Sequence, residues 1–126
     1  VEERPCLCVD VGNGHTMVAL INNGIDGILE HHTHTLTKDR LVDYIRRFAE
    51  GEVTNKEVFN DNGHGCYIRN APGIKSIKRL LVTGPHREIL RDAGLNVEFT
   101  RPYGDVMMTG PFGIVDLVRT KFYSPK

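Results

Sequence analysis

The sequence predicts an α/β domain: a mixed five-stranded sheet flanked by helices, in the order β-β-β-α-β-α-β-α. Three observations predict it. Residues 6–36 hold three strand-like segments separated only by glycine-containing turns, the mark of an antiparallel meander. From Thr37 the apolar spacing lengthens from strand to helix. After residue 76 strand-like and helix-like segments alternate, and such crossovers favour parallel pairing with helices on the faces. A chain of 126 residues is one domain with room for a core that needs no staples.

The first strand is read at 6–11 and the second at 16–22, "TMVALIN". "GNGH" between them is a hairpin linker, since Asn-Gly is a strong turn pair. "NNG" at 22–24 makes the next turn and "GILEHHTHTL", 27–36, the third strand. Thr37 caps a helix that carries Leu41, Ile45 and Phe48 on one face with Val42 and Ala49 beside them, and Gly51 stops it. Thr54 and Glu57 have capping-box spacing, so a short helix is expected over 55–59. Residues 60–73 are rich in turn formers and form a loop, with a short strand at 66–69. "IKRLLVTGP", 77–85, returns to strand and ends at Gly84. A helix over 86–93 closed by Gly94, the strand "NVEFT", and a helix from Asp105 complete the order. In the last helix Gly110 and Gly113 allow close packing, and Pro111 bends or breaks it.

Sixteen basic and sixteen acidic residues leave no net charge, so nothing draws the chain to nucleic acid or to an anionic membrane surface. Lys75, Lys78, Arg79, Arg87 and Arg91 form no single stripe and read as solvated surface. No run reaches the roughly 18 apolar residues of a membrane span. The three cysteines, Cys6, Cys8 and Cys66, read as free thiols of a cytoplasmic protein. A start at Val1 rather than Met, with the charged "VEERP" leading straight into a strand, has the look of a piece cut from a longer chain or of a processed one.

Two stretches stand out chemically. In "CLCVDVGNGHT" an acid, Asp10, sits at the end of an apolar strand, just before Gly12, Asn13 and Gly14. A buried carboxylate is costly without a partner. The stretch is therefore either a tight hairpin with one hydrogen-bonded acid or a ligand cradle, in which glycines let backbone N–H groups face an anion. The second stretch is "EHHTHT". On a strand, His32 and His34 share one face and His31 the other. A His-x-His pair on a strand can hold a metal with a third ligand from elsewhere. His64 in "DNGHG" is the first candidate for that third ligand, with Asp61 and His15 next. The alternative is a polar strand face beside a connecting loop.

The strand order, "VDVGNGHT" in the first turn and "LLVTGP" closing the fourth strand resemble the actin/sugar-kinase/Hsp70 ATPase superfamily. Each half of those proteins has a ribonuclease-H-like fold. The matching positions, Asp10–Thr16, Leu80–Pro85 and 102–118, resemble the second, adenosine-contacting half. The resemblance implies that residues 1–126 are one such lobe, with its N-terminal partner lobe in the missing part of the chain. It implies ATP and Mg²⁺ as ligands. Asp10 would hold Mg²⁺ through water, Gly12, Asn13, Gly14, His15 and Thr16 would cradle phosphate, and Thr83, Gly84 and Pro85 would face the base. Asp10, His64 and Asp61 are then the catalytic candidates. Two positions depart from that pattern: Gly84-Pro85 replaces Gly-Gly, and His15 stands where Ser or Thr is usual.

More narrowly, "DVGNGHT", "EHHTHTLT", "TNKEVFNDNGHG" and "VTGPHR" resemble a largely archaeal family labelled as a pyruvate formate-lyase activating enzyme. That label implies radical iron–sulfur chemistry, and this sequence lacks the cysteine spacing for it. Three functional expectations follow: a nucleotide- or phosphate-binding lobe of an ATPase or phosphotransferase, a non-catalytic interaction module on the same fold, or a metal-binding enzyme domain using His32, His34 and His64. A lobe parted from its partner exposes an apolar face, so a homodimer is also expected.

Overall fold

A computed structural model of the protein describes residues 3–100. The helix expected from Asp105, with Gly110, Pro111 and Gly113, lies outside the described residues. Six strands form one mixed sheet in the order β4-β3-β2-β1-β5-β6. They are β1 (Cys6–Val11), β2 (His15–Asn22), β3 (Gly24–His32), β4 (Gly65–Ile68), β5 (Arg79–Thr83) and β6 (Val97–Phe99). β1, β2 and β3 are the expected meander, antiparallel throughout. β5 lies parallel to β1, and β6 parallel to β5.

β1 lies inside the sheet and is buried along its whole length, so apart from Asp10 it is apolar on both faces, as a two-sided strand must be. Leu7, Val9 and Val11 join the main core with Val18, Leu20, Leu29, Leu80 and Val82. Cys6 and Cys8 point the other way, into a smaller cluster with Met17, Ala19, Ile21 and Leu81. α1 (Lys38–Ala49) closes the main core with Leu41, Tyr44, Ile45, Phe48 and Ala49. Thr37 caps it by accepting from Arg40 N at 3.2 Å. Gly27 is small because Phe48 crosses it: a Cβ there would lie 3.0 Å from Phe48 Cζ. α2 (Asn55–Asn60) is capped by Thr54, which accepts from Glu57 N at 3.1 Å.

The sheet has six strands where five were expected, because the five leave out the short strand read at 66–69. It forms at residues 65–68 and adds to the free edge of β3 in antiparallel register, and Asn55 Oδ1 steadies it by accepting from Cys66 N at 2.9 Å. The expected helix over 86–93 is only a 3₁₀ turn, Arg87–Leu90. Its length is too short to repay helix nucleation; Leu90 is buried in the core and Ile89 packs partly against it. β3 ends at His32 rather than continuing to residue 36. Thr33 N turns to donate to Gly14 O at 2.9 Å, and Thr33 Oγ1 meets Thr16 Oγ1 at 2.9 Å. The chain then makes a 3₁₀ turn, Thr33–Thr35, so His32 and His34 do not share a strand face. No helix among the described residues is long and apolar enough to cross a membrane.

Candidate functional site

Because β1 and β5 are parallel, their C-terminal ends lie together, and the hairpin adds the start of β2 and the end of β3. The carboxyl ends of parallel strands are where open α/β sheets place ligands. The turn 12–14 closes with Gly12 N donating to His15 O at 3.0 Å. A Cβ on Gly12 would lie 2.8 Å from that same oxygen, so the turn tolerates no side chain there. Gly14 differs: nothing lies within 4 Å of where its Cβ would be. Asn13 and Gly14 are exposed, whereas Thr16 is fully buried.

The loop after β5 locks onto this turn. His86 N donates to Val11 O at 3.0 Å, and His86 Nε2 lies 3.0 Å from Asn13 Oδ1. Gly84 has φ +101°, and a Cβ on it would sit 2.6 Å from Asp10 Oδ1 and closer still to Val11 O. Glycine is required there both by conformation and by space. Asp10 and Thr83 are register partners, 1% and 3% exposed. Asp10 therefore forms the floor under Gly84, with Pro85 half-buried beside it.

All six histidines of the chain gather at this end of the sheet. His15 and His32 are cross-strand partners. His64 joins them, its backbone N donating to Glu30 O at 3.0 Å. The three rings lie 4.7–5.2 Å apart, centre to centre, and one ligand atom from each falls within 4.8 Å of the others. Loss of surrounding water, then the neighbouring His64 and His15, pull the His32 pKa below its ordinary value. The neutral, ligating form is favoured as a result. His34 stands apart, 6.1 Å from His86 ring to ring. The structure thus brings His32 and His64 together with His15, and leaves out His34.

His31 does different work. It is fully buried, its Nδ1 accepts from His32 N at 2.7 Å, and its Nε2–H donates to Asp61 Oδ2 at 2.9 Å. The same carboxylate oxygen accepts from Tyr44 Oη at 2.7 Å and from the Arg40 guanidinium. The Tyr44 bond first, then His31 and Arg40, hold the Asp61 carboxyl below the usual carboxylate range against the opposing effect of burial. Burial, then the Asp61 carboxylate, pushes the Tyr44 hydroxyl up. Asp61 and His64, three residues apart in one loop, therefore serve different neighbours. Asp61 ties the loop to α1 and lines a cleft of about 620 Å³ with Asp39, Arg40, Asp43, Tyr44, Glu57 and Asn60. Gly63 makes the split possible, since a Cβ there would meet Val58 at 2.6 Å and His31 at 2.8 Å.

Sequence reasoning missed His31 as the partner of Asp61 and His86 as the clasp on the turn. The sequence carried a signal for the second, since His86 directly follows the Gly84-Pro85 loop.

A family model described as "Putative pyruvate format-lyase activating enzyme (DUF1786)" matches residues 1–89. The chain belongs to this family. The matched span includes every residue of the site, from Asp10 to His86. No curated protein and no solved structure matches the chain. The radical iron–sulfur chemistry that such a label implies needs a cysteine-held cluster, which these residues do not fit. Cys6 and Cys8 are buried on β1, while Cys66 lies on β4, three strands across the sheet. At roughly 4.8 Å per strand the gap is about 14 Å, too wide for one cluster.

Proposed function

We propose that this chain is a phosphate- or nucleotide-binding lobe with a ribonuclease-H-like fold, of the kind used by actin-like ATPases and sugar-kinase-like phosphotransferases. The observation that carries the reading is the clasp between two loops some 70 residues apart. His86 N meets Val11 O, His86 Nε2 meets Asn13, and Gly84 packs on Asp10. The two stretches that the resemblance pairs, 10–16 and 80–85, lie against each other.

In this reading the exposed backbone of Asn13 and Gly14 receives the phosphate, and Gly84 and Pro85 offer a flat wall to the base. Asp10 is buried, so it acts from the floor, beneath Gly84. Contact between its carboxylate and a Mg²⁺ ion requires the 84–85 loop to shift. Phosphoryl transfer depends on positioning and charge neutralisation from both sides. A second lobe, or a second copy of this one, would complete the cleft.

The test uses Gly14→Val. Open space above Gly14 lets the fold accept the side chain, while a phosphate loses its approach to the backbone. Mg-ATP at about 100 times its Kd stabilises by about 2.7 kcal/mol, a rise in Tm of roughly 10 °C for a domain of this size. The wild type shows that rise and Gly14→Val loses most of it. No rise with Mg-ATP, Mg-ADP or inorganic phosphate in the wild type refutes the reading and leaves a non-catalytic module on this fold.

A further inference from the structure

We propose that His15, His32 and His64 form a binding site for one divalent transition-metal ion of the zinc class. The inference goes beyond the nucleotide reading and does not rest on it. Three separate elements supply the rings: the first residue of β2, the last of β3, and the loop before β4. Each is fixed by its backbone. His15 and His32 are register partners, and the His64 backbone is bonded to Glu30 of β3. The cluster is therefore a product of the sheet rather than of one flexible loop.

The donor set selects the metal. Three imidazole nitrogens without a carboxylate suit Zn²⁺, Co²⁺, Ni²⁺ or Cu²⁺, and not Mg²⁺ or Ca²⁺, which take oxygen. A tetrahedral ion with Zn–N bonds of about 2.0–2.1 Å needs nitrogens roughly 3.3 Å apart. The present ligand atoms lie within 4.8 Å of one another, so closure takes about 1.5 Å or less at each pair. Side-chain rotation supplies that, because His15 and His64 are exposed and their rings are free to turn. Three protein ligands leave a fourth position for water or a substrate, the arrangement of catalytic rather than structural zinc sites. His31 supports the cluster from behind. It accepts from the His32 backbone and, through Asp61, holds the loop that carries His64.

The experiment uses the protein purified without a polyhistidine tag, stripped with a chelator and titrated with Co²⁺, then Zn²⁺. The expected result is one ion per chain, with tetrahedral cobalt d–d absorption that zinc displaces. His32→Ala and His64→Ala each weaken binding by more than about 100-fold, beyond the 10–100-fold typical of losing an outer support. His34→Ala keeps the wild-type affinity. His15→Ala, at an exposed strand end, repeats the loss without touching the loop, in case His64→Ala fails to fold. Absence of saturable one-to-one binding overturns the proposal. So does a full loss in His34→Ala, or wild-type affinity in a folded His64→Ala or His15→Ala. All readouts use the metal alone, so they stand or fall separately from Mg-ATP binding.

Discussion

Replacing Asp61 by alanine removes the acceptor for three donors at once. His31 is fully buried, and its Nδ1 is already occupied by the His32 backbone at 2.7 Å. The Nε2–H, 2.9 Å from Asp61, would then have no acceptor. Leaving a buried donor unsatisfied costs about 1–3 kcal/mol. Tyr44 is 5% exposed and donates to the same oxygen at 2.7 Å; losing a bond to a charged acceptor adds about 1.5–3 kcal/mol. The Arg40 contribution is small, because the pair is 40% and 36% exposed and solvent screens it. The expected loss for Asp61→Ala is about 3 kcal/mol, measured by urea denaturation at pH 7. The acid limb supplies an independent check. Asp61 binds its proton less readily in the folded state than in the unfolded one. Its stabilisation is thus complete above the unfolded carboxyl value of about 3.9 and fades as pH falls through the lower folded value. Asp61→Asn should flatten that fall. A loss under about 0.5 kcal/mol for Asp61→Ala, with an unchanged acid limb, would refute the claim that this carboxylate organises the loop.

Two other outcomes can be measured directly. Gly84→Ala should destabilise by about 2 kcal/mol or more, since it forces φ +101° on a residue with a Cβ and drives that atom against Asp10 and Val11; unchanged thermal unfolding would contradict the packing. Burial pushes the Cys66 thiol up to about 11, so its reaction with a disulfide reagent at pH 7–8 should be far slower than that of an exposed thiol. Equal rates in native and urea-unfolded protein would contradict it.

Local sequence determined what depends on neighbours a few residues away. The apolar runs with glycine turns specified the meander. Thr37 and Thr54 marked both helix starts because a cap acts within three residues. The 3.6-residue spacing of Leu41, Ile45 and Phe48 named the buried face of α1. The site answered to longer-range facts. His34 drops out because the Thr33–Gly14 and Thr33–Thr16 bonds end β3 at His32, and His15 enters because antiparallel register sets it opposite His32. Asp61 parts from His64 because Tyr44, on a helix seventeen residues earlier, supplies a donor. Asp10 lies under Gly84 because β5 pairs with β1 in parallel, placing residue 83 beside residue 10. Cross-strand register and the points where strands stop are set by pairing between distant segments, which no local pattern encodes.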